Sequence, residues 1–154
     1  MKYWTIAKPN LIMGKGKSVL KARLILERED GKVLLLKQTT RNGGKYTMVG
    51  GFVERKEFAK AGLIRESLEE TGIDLREKNL ELVHCVHKKR SKDSRIILYF
   101  KASKWKGEAI SREPHKFKKV AWFPLDELPK NVSSTVRHVL SKYSKGIKYS
   151  EYMG

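Results

Sequence analysis

The chain has 154 residues, with 34 Lys and Arg against 17 Asp and Glu, a net charge of +17, and 40% hydrophobic residues. That length suits one domain, residues 1–154, with a proper core. No apolar run approaches the ~20 residues that span a bilayer, residues 1–17 hold no apolar stretch long enough for a signal peptide, and the single Cys85 excludes an internal disulfide framework; the expectation is a cytoplasmic protein with no membrane partner.

Residues 19–27 and 32–38 read as strands, joined by Arg28-Glu29-Asp30-Gly31, whose Asp-Gly pair is a hairpin signal. Residues 39–45, with Asn42-Gly43-Gly44, read as a loop, and residues 46–49 as a short strand running into Gly50-Gly51. Residues 58–70 lack proline and repeat their apolar positions at helical spacing, and Gly72 follows as a C-cap. Strands follow near residues 80–88, 95–102 and 118–123. Pro124 then opens a short helical turn over 125–128, and an amphipathic helix covers 133–143 with Val136, Val139 and Leu140 inward. Strands interleaved with two helices indicate an α/β domain without repeats or linkers.

The acidic residues are not spread evenly. Glu54, Glu57, Glu66, Glu69, Glu70, Asp74 and Glu77 crowd into residues 54–77 of an otherwise basic chain. On the helix Ala61, Ile64 and Leu68 cluster on one side, and Glu66, Glu69 and Glu70 on the opposite side at i, i+3 and i+4. Like charges so placed cost a helix a few tenths of a kcal/mol, or roughly 0.2–0.5 per pair. A solvated face with Arg65 and Lys60 as partners would relieve this. So would a hard cation such as Mg²⁺, which takes one or two carboxylates, waters and substrate phosphates. Gly50 and Gly51 give the backbone freedom to turn sharply before the helix and to approach a ligand.

Gly51, Glu57, Arg65, Glu66, Glu69, Glu70, Gly72 and Ile73 fall on the fixed positions of G-x5-E-x7-R-E-U-x-E-E-x-G-U, where U is a bulky aliphatic residue. The segment resembles the Nudix box. Ser67 stands where an aliphatic residue is usual, Lys56 where a glycine often precedes the first glutamate, and Val49 where proline is frequent. The resemblance extends over about residues 18–145, through the "LLL" strand and the Trp122-Phe123-Pro124 close. It implies the Nudix fold, a mixed β-sheet sandwiched between α-helices. It also implies a hydrolase acting on the phosphoric anhydride bond of a nucleoside diphosphate linked to a group X. Glu66, Glu69 and Glu70 would then bind Mg²⁺, with Mn²⁺ as the alternative ion. Glu66 is the leading candidate for a combined metal and base role. Glu57 and Arg65 would hold the loop by an ion pair, Gly51 would offer its backbone to metal or phosphate, and Glu113 would be a further metal ligand or base.

The remaining candidates are plainer. Cys85 reads as a core thiol. His84 and His87, three apart in a strand, point to opposite faces and form no paired zinc site; His115 and His138 read as isolated. Trp122 or Phe123 could stack on a base. Lys88-Lys89-Arg90-Ser91-Lys92 reads either as a solvated hairpin tip that protects strand edges or as a means of attracting phosphates. The net charge keeps RNA open as a partner. The readings are therefore a MutT-like pyrophosphohydrolase releasing a nucleoside monophosphate and pyrophosphate, an RNA 5′-end pyrophosphohydrolase, a nucleotide-sugar hydrolase, and a non-catalytic nucleic-acid module. Substrate-contacting residues and oligomeric state stay open.

Overall fold

The computed structural model describes residues 17–154. Apart from Lys17, the expectation for residues 1–17 lies outside the described residues. The strands are β1 (Lys17–Ile25), β2 (Lys32–Gln38), β3 (Tyr46–Thr47), β4 (Gly50–Phe52), β5 (Leu80–Lys89), β6 (Asp93–Ala102), β7 (Phe117–Pro124) and β8 (Tyr149–Met153). The helices are α1 (Ala59–Thr71) and α2 (Ser134–Ser144). Five strands form a mixed sheet in the order β4-β1-β6-β5-β8, and three form an antiparallel sheet in the order β3-β2-β7.

Two apolar clusters fill the molecule. Alternation along β1 sends Ala22 and Leu24 one way, where Leu63 of α1 joins them with Leu34, Leu36 and Phe100. It sends Ile25 the other way, to Ile97, Tyr99 and the Val136, Val139 and Leu140 stripe of α2. The expected sandwich of sheet between helices is therefore present, and the inward stripe of α2 is the one its sequence indicates.

Three features differ from expectation. The Asp30-Gly31 turn forms, with Gly31 at φ 79° and its N–H bonded to Arg28 O, and a short hairpin closes around it through Arg28 N–H to Lys32 O and Leu34 N–H to Leu26 O, but the pairing stops there and β1 and β2 lie in different sheets. A Glu27–Val33 bridge marks where the chain passes from one sheet to the other. Both strands bury consecutive residues, Leu24 to Leu26 and Val33 to Leu36. Apolar cover on both faces favours central positions in two sheets over an exposed two-stranded ribbon. Next, β8 extends the five-stranded sheet by pairing parallel with β5. Residues 125–128 form only a turn closed by Glu127 N–H to Pro124 O. Among the described residues no helix is long and apolar enough to cross a membrane.

Candidate active site

The start of α1 is set by the loop before it. Glu57 Oε1 accepts the Glu54 N–H at 2.9 Å, which curls residues 54–57 into a turn. Arg65, two turns into the helix, donates Nη2 to Glu57 Oε1 at 2.7 Å and Nε to Glu57 Oε2 at 3.1 Å. A bidentate guanidinium–carboxylate pair is among the stronger hydrogen-bonded units, and this one ties loop to helix. It holds the Glu57 carboxyl below its usual range, and Glu57 raises Arg65 further above its own. Gly62 makes room for the pair, since a Cβ there would lie 2.7 Å from Glu57 Oε1. The ion pair read from the sequence is present.

Gly50 and Gly51 are each required by a different neighbour. Gly50 sits at φ 125°, and a Cβ on it would meet Ala22 O at 2.1 Å. Its N–H donates to Glu70 Oε1 at 2.8 Å. Gly51 has ordinary φ, but a Cβ would lie 2.7 Å from Glu66 Oε1. The missing side chain lets the Glu66 carboxylate lie directly on the β4 backbone.

The face of α1 turned toward the protein is therefore not an apolar stripe. Gly62, Leu63, Ser67, Glu70 and Thr71 are buried, while Ala61 and Leu68 are exposed. The relative placement of apolar and acidic sides holds, but the acidic edge is the one that meets β4. Hydrogen bonds account for this: Glu70 caps the Gly50 N–H, and Ser67 Oγ donates to Ile73 O at 3.1 Å. Thr71 Oγ1 donates to Ser67 O at 2.7 Å and accepts the Ile73 N–H at 3.2 Å. Ser67, the departure from the usual aliphatic residue, thus serves the turn at Gly72.

The three helix carboxylates differ in environment. Glu69 is half exposed, Glu66 has 20% of its side chain exposed, and Glu70 is buried. Burial pushes Glu70 up to about 7, against the pull of the Gly50 N–H and Arg23, and with added repulsion from Glu66 and Glu113. Arg65 also reaches Glu66 at 3.3 Å, Glu69 at 3.4 Å and Glu54 at 3.6 Å. One cation is thus shared among four carboxylates. Among the described residues, no three His, Cys, Asp or Glu side chains already converge as a ligand cage. The donor set nonetheless suits a hard cation: all-oxygen, multiply charged, and placed against a glycine backbone that admits close approach.

Glu113 reaches the same region. Its loop is pinned by Arg112 N–H to Glu70 O, and by Lys116 and Phe117 N–H groups to Glu113 O. Lys116 lies 3.4 Å from its carboxylate.

The other candidates have structural surroundings. His84 is buried, with Nδ1 2.7 Å from Ile147 O and Nε2 2.8 Å from Ser150 Oγ. Because a carbonyl only accepts, Nδ1 carries the proton and Ser150 donates to Nε2. His138 Nε2 then donates to Ser150 Oγ at 2.9 Å, so His138 is not isolated but joins His84 in fastening β8. Cys85 is half-buried rather than core, and burial raises its thiol above the usual value. Phe123 packs edge-on against Tyr46, and Trp122 packs on the α1-side core beneath Arg28.

What the sequence reading missed lies across β1 from the carboxylates. Lys21 and Arg23 of β1, Lys88 of β5 and Arg95 of β6 line a cavity of about 150 Å³. Period-two alternation, which puts Lys21 and Arg23 on the Ile25 side, was the available signal.

Residues 17–143 match the model of the NUDIX domain family, and the chain belongs to that family. A NAD-capped RNA hydrolase NudC of Photorhabdus laumondii subsp. laumondii is 31% identical over 102 residues, covering 66% of this chain and 38% of that protein. NudC of Escherichia coli O1:K1 is 29% identical over 106 residues, 69% of this chain and 39% of that protein. The chain thus spans well under half the length of these curated relatives. A MutT NUDIX hydrolase crystal structure from Burkholderia pseudomallei superposes with a TM-score of 0.73 at 25% identity, covering 81% of this chain and 97% of that one. The MutT protein of Methanosarcina mazei Go1 gives 0.73 at 20% identity, covering 85% and 96%; it speaks to the fold alone.

Proposed function

We propose that this domain cleaves the diphosphate linkage of a nucleoside diphosphate-X substrate with Mg²⁺. The favoured substrate is a small (d)NTP-type nucleotide, released as a nucleoside monophosphate and pyrophosphate. The observation that carries the reading is the Glu66 carboxylate lying on the bare Gly51 backbone, flanked by Glu69 and Glu70. In this reading Glu66, Glu69 and Glu70 hold the ion, with the Gly51 backbone beside them. A bound Mg²⁺ would neutralise phosphate charge and lower the pKa of a water. Glu66, partly exposed, takes the proton of the attacking water. Glu57 and Arg65 keep the loop in place, and Glu113, close enough to raise Glu70, supplies a further carboxylate. Glu70, near neutral in its proton affinity, gives up its proton as the ion binds.

A second reading is an RNA 5′ end. It is favoured by the net charge of +17 and by curated relatives named NAD-capped RNA hydrolases. The experiment is Mg²⁺-dependent hydrolysis of nucleoside triphosphates, nucleotide sugars, NAD-capped RNA and 5′-triphosphate RNA, with products separated and rates followed against salt. Small-nucleotide turnover with a shallow salt dependence supports the first reading. RNA turnover that collapses with salt supports the second, because a polyanion releases counterions on binding.

A further inference from the structure

Behind β4, on the α2 side of the five-stranded sheet, four cations converge with little to neutralise them. Lys21, Arg23, Lys88 and Arg95 line the cavity, and Thr135 at the start of α2 closes it. Asp93 lies 3.4 Å from Arg95, yet Asp93 Oδ1 and Arg95 Nε are both buried without a hydrogen-bond partner among the described residues. Among those residues Lys21, Arg23 and Lys88 form no salt bridge. Asp93, which Arg90 also approaches at 3.9 Å, is the one carboxylate in a salt bridge with any of the four among the described residues, so positive charge is in excess around the space. Residues 1–16, outside the description, contain no Asp or Glu that could offset it.

The polar groups present are spent on the backbone or on hydroxyls. Arg23 Nη1 donates to Met48 O and Gly50 O, each at 2.8 Å, and Lys88 Nζ donates to Thr135 Oγ1 at 2.7 Å. Among the described residues Lys21 has only the Phe52 ring, 4.3 Å away. The cost of this crowding appears in Lys21, which burial, then Arg23, Arg95, Lys88 and Arg90, pull down to about 7. The first turn of α2 adds to the same field. Ser133 provides no side-chain cap, so the positive end of the helix faces the cavity through Thr135 and Val136.

We propose that this cavity is an anion subsite for a phosphoryl group of the substrate, additional to the diphosphate that is cleaved. The inference deepens the reading of the carboxylate site and rests on it. Its volume is well below the roughly 300–1,000 Å³ of a pocket for a whole ligand, so it suits one small group. Guanidinium, ammonium, hydroxyl and a helix N-terminus are the groups that bind phosphate. A dianion would offset the excess of positive charge. The cavity is joined to the carboxylate site through one peptide. Arg23 donates to Gly50 O while the Gly50 N–H donates to Glu70, and Lys21 stands opposite Phe52, the residue after Gly51. One substrate can thus span both sides of β4. The extra phosphoryl could extend the 5′ chain or sit on the sugar.

The test is titration of the full chain with inorganic phosphate in chelated buffer, matched for ionic strength with sodium chloride. It is followed by calorimetry and melting temperature for wild type, Lys21→Met and Arg95→Gln. The expected result is saturable binding by wild type and affinity at least about tenfold weaker in each variant, as for loss of a hydrogen bond to a charged group. Lys21→Met should also melt higher than wild type without phosphate, because it removes a crowded ammonium. No binding by wild type up to about 20 mM phosphate, or equal binding by all three proteins, overturns the subsite. A parallel comparison uses ADP, ATP and adenosine 3′-phosphate 5′-diphosphate as hydrolysis substrates. A kcat/KM advantage for ATP that shrinks in the variants assigns the group to the 5′ chain, and one for the 3′-phosphate assigns it to the sugar. If nothing is hydrolysed, the hydrolase reading fails while the phosphate titration still decides the subsite.

Discussion

The two sides of β4 handle charge in opposite ways. On the α1 side, Arg65 is placed among Glu54, Glu57, Glu66 and Glu69, so that most of the crowding is relieved within the chain. On the α2 side, Lys21, Arg23, Lys88 and Arg95 face one another with Asp93 as the one carboxylate in a salt bridge with any of them among the described residues. The first arrangement finds its counter-charge in Arg65 without a ligand. The second is left short of negative charge, and that shortage is the stronger sign of something that must arrive from outside. An active site on a polyanionic substrate needs both kinds of surface: acids to hold a cation, and bases to hold the anion.

The largest effect that would break this comparison is chemical. Glu66→Gln keeps the shape of the side chain but removes its charge and basicity. It should lower kcat for diphosphate cleavage by roughly 10²–10⁴, the range for a group that moves a proton in the transition state, with stability changed by under about 1 kcal/mol. Steady-state rates beside urea unfolding would check both halves. Next comes Gly50→Ala, in which a Cβ would collide with Ala22 O at a φ that side chains avoid. A loss of about 3 kcal/mol or more is expected from strain and clash together, read as a lower urea midpoint. Arg65→Met should cost about 1–3 kcal/mol, since it leaves the partly buried Glu57 without its bidentate donor. It should also speed proteolysis of residues 53–58.

The finest prediction concerns pH, where the two sides have slopes of opposite sign. Between pH 4.5 and about 7, Glu70 holds more proton in the folded chain than in the unfolded one. Stability of the chelated protein therefore falls as pH rises through that window, by on the order of 2–3 kcal/mol from this group. Between about 7 and 10.5, Lys21 holds less proton folded than unfolded, so stability rises across that window, by a smaller amount because the group is partly solvated. Melting temperature against pH in phosphate-free buffer should lose the first slope in Glu70→Gln and the second in Lys21→Met.

Much of this was legible in the chain. The helix 58–70, its Gly72 stop and the inward stripe of α2 follow from spacing and local chemistry, the Glu57–Arg65 pair follows from the family resemblance, and the structure places them within a residue or so. What escaped depends on contacts distant in sequence. β8 reads Tyr-Ser-Glu-Tyr-Met and buries only Ser150, so it carries no hydrophobic pattern; it is held by pairing with β5 and by His84 and His138 on Ser150. The buried side of α1 was obscured because its inward residues include Ser67, Glu70 and Thr71, whose burial depends on partners at Gly50 and Ile73. The cationic cavity was split among Lys21, Lys88 and Arg95, which only the parallel β1–β6 pairing and the β5–β6 hairpin bring together. Lys88 had been one residue of a basic run, and in the fold it turns inward to Thr135.

The most direct test of the central claim is Mg²⁺-dependent turnover of the preferred substrate by wild type and Glu66→Gln, with both melting temperatures measured on the same preparations. Turnover by wild type should be abolished by chelation, the variant should be slower by roughly 10²–10⁴, and the melting temperatures should be nearly equal. Equal rates for the two proteins, or turnover that persists after chelation, would contradict the claim.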